Sequence, residues 1–156
     1  MKRSWVPVAG LLLAIPSAAQ GGATTYCTST PNSTGVTATL AHFGSLNLLQ
    51  TSFGLASTGL PVNPTSFGLF TCGTIPTNVP FGNGTLCISP FAPGITKMGV
   101  RPLSSNTVTF SMPDSPAAFT QCTPGSTWYF QFWYRDPAAG GSRFNLSNGL
   151  QVSFAP

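Results

Sequence analysis

The chain has 156 residues, of which 42% are hydrophobic, and it carries six basic residues, two acidic residues and one histidine. Because the cations are few and scattered, they form no basic stripe, and the composition disfavours nucleic-acid binding. The chain has no glutamate, so Asp114 and Asp136 are the only side-chain carboxylates, which is a poor basis for glycosidase chemistry.

The chain begins with the layout of a secretory signal peptide over residues 1–19. Two basic residues precede an apolar run at 6–15, and small residues follow up to Ala19, after which we expect cleavage. About ten apolar residues are too few for a membrane span, which takes roughly 20. Residues 20–156, a length of 156 − 19 = 137, are then a single exported domain without a membrane span, located outside the cell, in the periplasm or at the cell surface.

Short β-branched and aromatic runs between Gly, Pro and Asn turns predict strands, and no segment after the signal predicts a helix. The candidate strands are 36–40, 46–55, 66–72, 79–81, 85–88, 107–112, 128–135 and 150–154. The dipeptide Asn83-Gly84 predicts a tight hairpin between the fourth and fifth of these. The pattern therefore favours an all-β fold, an antiparallel β-sandwich over 20–156.

The stretch STWYFQFWYRDPAAGGS, residues 126–142, contains a dense run of aromatic side chains. On a strand, alternate residues share a face of the sheet. The face predicted to lie in the core consists of Trp128, Phe130, Phe132 and Tyr134. The opposite, amphipathic face consists of Tyr129, Gln131, Trp133 and Arg135.

This outer face is the candidate ligand-binding site of the sequence. Tyr129 and Trp133 are four residues apart, about 13 Å along a strand. Flat rings beside Gln131 and Arg135 can stack on sugars and hydrogen-bond to them. The alternative is that residues 138–149 fold back over these rings, with Arg135 lying across Trp133.

The sequence predicts no catalytic residue, no metal site and no cofactor. His42 is the only histidine and no G-x-S-x-G stretch accompanies it, so a hydrolase triad is not expected. Neither a phosphate-binding loop nor a calcium-binding loop is present in the sequence. No two cysteines have the C-x-x-C spacing, which disfavours a zinc site and a thioredoxin-like redox site.

Four cysteines follow the signal peptide, and their even number in an exported chain predicts two disulfides. They are Cys27, Cys72, Cys87 and Cys122. Three pairings of four cysteines are possible, and the residues themselves leave all three open.

Five stretches together form a recognisable pattern. They are YCTSTPNSTG, GLPVNPTSFGLF, FGNGTLCI, GSTWYFQFWYRDPAAGGSRFNLSNGL and QVSFAP. The chain resembles, from Tyr26 to Pro156, a domain of secreted planctomycete-type bacterial proteins that often forms the C-terminal part of longer exported chains. The W-Y-R-D-P stretch with F-N-L-S-[ND]-G is the most specific part. The resemblance implies a secreted all-β module without an established activity, so it transfers no catalytic residue.

The same resemblance implies a disulfide pairing. Relatives of this type keep a Tyr-Cys near the start and a Cys after the Gly-rich hairpin, which match Cys27 and Cys87 here. The resemblance thus implies Cys27–Cys87 and leaves Cys72–Cys122 as the second pair. Some relatives end in Cys-Pro where this chain has Ala155-Pro156, so a competing partner for Cys27 is absent.

Two hypotheses of function follow, from different classes. The first is a non-catalytic secreted module for extracellular binding or surface association, with a polysaccharide or an envelope protein as its partner. The second is a structural or matrix component without a specific ligand, and a small secreted hydrolase is a distant third. Exposure of Trp133 distinguishes the first two, because a bare aromatic shelf favours binding and a covered one favours a structural role.

Overall fold

A computed structural model describes residues 20–156, which form an all-β fold. Within these residues there are eleven strands, every strand pairing is antiparallel, and no α-helix is present. The predicted signal peptide, residues 1–19, lies outside the described residues. The described part contains no helix long and apolar enough to cross a membrane.

The elements are short and follow one another closely along the chain. The strands are β1 (Gly22–Cys27), β2 (Thr39–Phe43), β3 (Gly54–Thr58), β4 (Asn63–Gly73), β5 (Pro76–Phe81), β6 (Gly84–Ile88), β7 (Thr96–Leu103), β8 (Val108–Ser111), β9 (Thr127–Arg135), β10 (Phe144–Leu146) and β11 (Gly149–Ser153). Short 3-10 helices lie at Leu48–Gln50, Pro116–Phe119 and Pro137–Ala139.

The largest sheet contains six strands in the order β1-β11-β9-β4-β7, with β10 also paired to β9. Because β4 occupies one side of β9, β10 and β11 pair with successive parts of its other side. A second sheet has the order β2-β3-β8, and β5 and β6 form a separate hairpin. The first and last strands, β1 and β11, are neighbours, so the two ends of the described chain meet in the same sheet.

The hydrophobic core lies between the six-stranded and the three-stranded sheets. Leu55 and Phe110 point into it from the smaller sheet, and Phe70 and Phe130 from the larger one. The rings of Phe70 and Phe110 stack across the interface with centroids 5.4 Å apart. The two sheets therefore pack face to face in a sandwich-like arrangement, and the prediction of an all-β fold with antiparallel sheets is confirmed.

Several predicted strands are confirmed to within three residues at either end. The strand predicted at 107–112 is β8, the one at 150–154 is β11, and the one at 66–72 lies within β4. The prediction for 36–40 is displaced, since β2 begins at Thr39.

The strand predicted over 46–55 is wrong for most of its length. Leu48–Gln50 is a 3-10 helix, and the side chain of Asn47 caps it by accepting a hydrogen bond from the backbone N–H of Leu49 at 3.0 Å. Thr51 then adopts a left-handed conformation with φ of 50°, and β3 begins only at Gly54. A polar cap and a left-handed residue therefore redirect a segment whose apolar content alone resembles a strand.

The predicted hairpin is confirmed, but its turn is displaced by one residue. β5 and β6 pair with Phe81 opposite Gly84, so the two turn residues are Gly82 and Asn83. Gly82 has φ of +64°, and a Cβ atom there would lie 2.1 Å from the ring of Phe144. The positive φ favours glycine at this position, because side chains of L residues rarely adopt it.

One predicted disulfide is confirmed and the other is not formed. Cys27 at the end of β1 is bonded to Cys87 in β6, with their Cα atoms 5.9 Å apart. Cys72 and Cys122 are free thiols, so the predicted disulfide Cys72–Cys122 is wrong. Both thiols are buried, and the Cys72 Sγ accepts a hydrogen bond from Gln121 Nε2 at 2.9 Å, which satisfies it without a covalent partner.

Candidate functional site

The two faces of β9 differ in the structure as the alternation predicts, but the outer face is not one surface. On the inner face, Phe130, Phe132 and Tyr134 are fully buried. On the outer face, Tyr129 and Trp133 are half-buried and Arg135 is exposed. Gln131, between them, is fully buried. The four predicted site residues therefore lie in three different environments.

Gln131 is enclosed beneath β6 and holds that strand against the sheet. Its Nε2 donates to the carbonyl oxygens of Thr85 and Ser147, each at 2.8 Å. Its Oε1 accepts the backbone N–H of Cys87 at 2.9 Å. The prediction that Gln131 faces a ligand is corrected accordingly: its amide satisfies backbone groups of Thr85 and Cys87 in β6 and the carbonyl oxygen of Ser147.

Tyr129 is likewise engaged within the protein. Its ring packs edge-on against that of Tyr26 with centroids 5.1 Å apart. The Tyr26 hydroxyl in turn donates to the carbonyl oxygen of Cys87, the cysteine bonded to Cys27. Burial raises the pKa of Tyr26, so its hydroxyl stays protonated and available for this bond. Tyr129 thus belongs to the packing around the disulfide.

Trp133 lines a groove of about 400 Å³ between the outer face of the six-stranded sheet and the β5–β6 hairpin. We call it the aromatic groove. Its lining side chains are Phe67, Leu69, Thr71, Phe81, Leu86, Ile95, Lys97, Trp133 and Leu146. Strands β4, β7 and β9 supply part of this lining, and the hairpin supplies Phe81 and Leu86.

Four aromatic rings form a continuous row along the groove. The centroid distances are 5.9 Å from Phe67 to Trp133, 5.5 Å from Trp133 to Phe144, and 5.3 Å from Phe144 to Phe81. Phe67 is 40% exposed and Phe81 is 46% exposed, so the row is open to solvent at both ends. Contacts of this length are typical of favourable aromatic pairs.

The segment after β9 covers this face only in part. β10 pairs beside β9, with Phe144 opposite Arg135. Its Leu146 lines the groove, and its Phe144 ring packs on that of Trp133. In the alternative interpretation Arg135 lies across Trp133; in the structure its guanidinium lies 6.0 Å from the ring centroid of Phe67. The segment therefore does fold back beside β9: Phe144 packs on Trp133, which is half-buried, and the Ser147 carbonyl oxygen lies over Gln131.

The charges beside the groove are positive. Lys97 lines it and Arg135 lies at its Phe67 end, and both side chains are exposed. Neither aspartate is among the residues that line it. The groove is therefore apolar, aromatic and bordered by cations.

The polar residues considered for catalysis all make contacts within the protein. His42 is half-buried in β2, where its imidazole stacks on Phe53 with centroids 6.4 Å apart. Asp114 accepts a hydrogen bond from the Ser111 hydroxyl, and Asp136 accepts one from the backbone N–H of Ser33. Among residues 20–156, no group of three or more His, Cys, Asp or Glu side chains could hold a metal ion.

Sequence reasoning located Trp133 and Arg135 but missed Phe67, Phe81 and Phe144. The alternation of β4 could have indicated Phe67, because Phe67 and Leu69 share the face opposite Phe70. Nothing in the local pattern brings Phe81 to the groove, since its ring contact there is with Phe144, 63 positions further along the chain.

No protein-family model matches the chain, and no curated protein or solved structure does. The resemblance to a planctomycete-type secreted domain therefore stays a prediction.

Proposed function

We propose that the protein is a non-catalytic, exported binding module whose aromatic groove binds an apolar segment of an envelope or other extracellular protein. The observation that carries this proposal is the solvent-open aromatic row along a groove of about 400 Å³. Grooves of this size, with mostly apolar walls, are the usual form of ligand sites.

A purely structural role leaves the exposed rings unexplained. Phe67 and Phe81 keep 40% and 46% of their surface in water while lying in one continuous row with Trp133. A single exposed ring is ordinary, but a contiguous exposed apolar surface in a monomer marks an interaction site. This observation favours binding over a matrix role without a ligand.

The composition of the groove favours a protein segment over a polysaccharide. Sugar sites need polar groups that satisfy the hydroxyls of the ligand, since unpaired polar groups are costly to bury. The amide of Gln131 is committed to β6, and the hydroxyl of Thr71 donates internally to the carbonyl oxygen of Gln131 at 2.9 Å. Leucine and isoleucine side chains line the rest, and these suit aliphatic or aromatic side chains of a partner.

Charge further restricts the partner. Lys97 and Arg135 border the groove without an acidic neighbour among its lining residues. Electrostatic complementarity favours a partner segment with an Asp, a Glu or a terminal carboxylate next to its apolar side chains. The expected ligand is thus an apolar peptide segment with an acidic flank.

Export is the second element of the proposal. The Cys27–Cys87 disulfide is of the kind that persists in an oxidising compartment outside the cytosol. The predicted signal peptide gives the same location. We therefore propose that the binding partner is encountered outside the cytoplasm.

The test is a selection of peptides from a random displayed library on the immobilised domain 20–156, followed by titration of a selected synthetic peptide. We expect aromatic or aliphatic residues beside an acidic residue, and a change in tryptophan fluorescence on titration. Phe81→Ala should weaken binding by at least about tenfold, equivalent to about 1.4 kcal/mol. The matched control is Phe91→Ala, since Phe91 is 80% exposed and does not line the groove.

Two results would contradict the proposal. Equal binding by the wild type and by Phe81→Ala would show that selected peptides bind elsewhere. Retention of the wild type on polysaccharide gels, lost in Phe81→Ala, would identify a glycan as the occupant of the groove in place of a protein segment.

A further inference from the structure

The edge strands of this fold differ in how their unpaired side is protected. A strand at the edge of a sheet presents free backbone N–H and C=O groups to which a strand of another chain can bind, and proteins usually block such edges with charges, prolines or covering groups. Within residues 20–156 the outermost strands are β1 and β7 in the six-stranded sheet, β2 and β8 in the three-stranded sheet, and β5 and β6 in the hairpin. All of them except β1 are blocked.

The three-stranded sheet is blocked at both edges by side chains from outside the sheet. At β2, the amide of Asn148 binds both backbone groups of Leu40: its Oδ1 accepts the N–H at 2.6 Å, and its Nδ2 donates to the carbonyl oxygen at 3.1 Å. At β8, the Nε of Arg101 donates to the carbonyl oxygen of Thr109 at 3.3 Å. These side chains occupy backbone groups that an added strand would need.

β7 is protected by its charge and by a proline. Lys97 and Arg101 lie on this strand, so two copies of β7 would repel each other. The Nη1 of Arg101 also donates to the carbonyl oxygen of Val100 at 3.0 Å, and Pro102 has no N–H to donate. β7 is therefore unsuited to pairing with a strand of another copy.

The hairpin and β10 are blocked by prolines and by hydrogen bonds within the protein. β5 contains Pro76 and Pro80, which cannot donate to a neighbouring strand. The amide of Gln131 binds backbone groups of β6. The backbone N–H of Asn83 in the turn donates to the carbonyl oxygen of Phe144 in β10 at 3.2 Å. Each of these strands is thus interrupted as a template for pairing.

β1 has none of these protections over most of its length. Its sequence, GATTYC, contains no charged residue and no proline, and Gly22, Thr24 and Thr25 are exposed. A Cβ atom added at Gly22 would meet nothing within 4 Å. Outside the ladder with β11, no backbone group of Gly22–Tyr26 forms a hydrogen bond within residues 20–156. The register of β1 shifts only at its end, between Thr25 and Cys27, so the strand before that point is a regular, open edge.

We propose that β1 pairs with β1 of a second copy of the chain, antiparallel about a two-fold axis, and joins the two six-stranded sheets into one. In such a pair the same residues of both copies meet, so the strand must be compatible with itself. β1 meets this condition because it carries no charge, and because threonines are favourable cross-strand neighbours of each other. Since the other edges are blocked, assembly stops at two copies and does not continue into a fibre.

A second copy fits β1 better than a segment of a different protein. Selective binding of a foreign strand uses pockets or charges for its alternate side chains, besides the backbone hydrogen bonds. The exposed side chains of β1 are small and uncharged, so they offer neither. Pairing of six-residue strands is small beside the stable interfaces of proteins, which bury more than about 1,000 Å², so the dimer should dissociate on dilution.

The experiment is sedimentation equilibrium of the domain 20–156 at protein concentrations from about 1 μM to about 1 mM. We expect a reversible equilibrium between monomer and dimer, without larger species. Thr24→Lys should weaken the dimer by about tenfold or more, because two like charges then lie close together near the middle of the paired strands. Thr39→Lys is the matched control, since Thr39 is an exposed threonine on the blocked edge strand β2. Phe81→Ala should leave the dimer unchanged, which separates this interface from the aromatic groove.

A charge exchange distinguishes pairing from a general loss of stability. Thr24→Lys and Thr24→Glu should each weaken the dimer alone, and an equimolar mixture of the two variants should form a heterodimer at least as readily as the wild type forms its dimer. Only contact between the two copies of β1 produces this recovery. A monomer at every concentration, a dimer that survives Thr24→Lys, no recovery on mixing, or assemblies larger than a dimer would each overturn the proposal.

Discussion

The inner and outer faces of β9 come from the same aromatic run, yet they differ in burial. On the inner face, Phe130, Phe132 and Tyr134 are sealed between two sheets. On the outer face, Gln131 is sealed by β6, whereas Trp133 lies in an open groove. The two-residue period of a strand determines which face of the sheet a side chain lies on. Whether that face is buried depends here on the β5–β6 hairpin, which is distant in sequence.

The largest expected effect is on the inner face. Phe130→Ala should lower the free energy of unfolding by about 3–5 kcal/mol, since a fully buried ring is lost and a cavity remains. Trp133→Ala should cost clearly less, because that ring is half-buried beside a groove. Denaturant titration of both variants measures the difference. Equal losses would mean that the outer face is as closed as the inner one.

The second prediction concerns the covalent bond that holds β6 over the outer face. Replacing Cys27 and Cys87 together by serine should lower the free energy of unfolding by about 2–4 kcal/mol, because the bond closes a loop with a sequence separation of 60. Thermal and denaturant unfolding measure it. Because the disulfide holds β6 over Gln131, the backbone amide protons of β6 should exchange with solvent faster in this variant. Unchanged exchange would show that β6 stays over Gln131 without the disulfide.

The sequence alone predicts the fold class and two residues at the aromatic groove, Trp133 and Arg135, because the signals for these are local. Alternating apolar residues and turn signals are local, so the all-β fold, the core face of β9 and the β5–β6 hairpin were within reach. The resemblance supplied Cys27–Cys87. The burial of Gln131 and the approach of Phe81 are long-range, since both depend on how the hairpin docks on the sheet. The free thiols of Cys72 and Cys122 could not be predicted by counting cysteines.

The third prediction tests the closed part of the outer face. Gln131→Met should lower the free energy of unfolding by about 1–3 kcal/mol, because the backbone N–H of Cys87 and two carbonyl oxygens lose their partner while remaining buried. Gln151→Met on β11 is the control, as Gln151 is only half-buried. Chemical denaturation compares the two. A loss no greater than that of the control would place Gln131 in contact with solvent.

The fourth prediction tests the open part. Phe81→Ala should change the free energy of unfolding by no more than about 1 kcal/mol, since the ring is 46% exposed on the hairpin. The same variant should lose peptide binding if the aromatic groove is the site. Differential scanning calorimetry measures the change in the free energy of unfolding. A loss as large as that of Phe130→Ala would mean that the aromatic row supports the fold, which favours the structural hypothesis.

The last prediction concerns the two free thiols, Cys72 and Cys122. Because both are buried, the folded protein should protect them from alkylation. Burial raises the pKa of Cys72 to about 12 and that of Cys122 to about 12, with the charge of the Cys72 thiolate adding to the effect on Cys122. The thiolate is the reactive form, so at pH 8 the folded protein should not react with iodoacetamide, while the unfolded chain should be modified at both residues.

Since both folded pKa values lie above the unfolded value of about 8.5, the protonated thiols contribute stability that is complete below that pH and declines as the pH rises above it. The double variant Cys72→Ala and Cys122→Ala should lack the decline that begins at about pH 8.5, and only the decline above the ordinary tyrosine pKa of about 10 should remain, because burial also raises the tyrosine pKa values. Mass spectrometry of the labelled protein is the measurement, and failure to label both cysteines after unfolding without reductant would show a Cys72–Cys122 bond instead of free thiols.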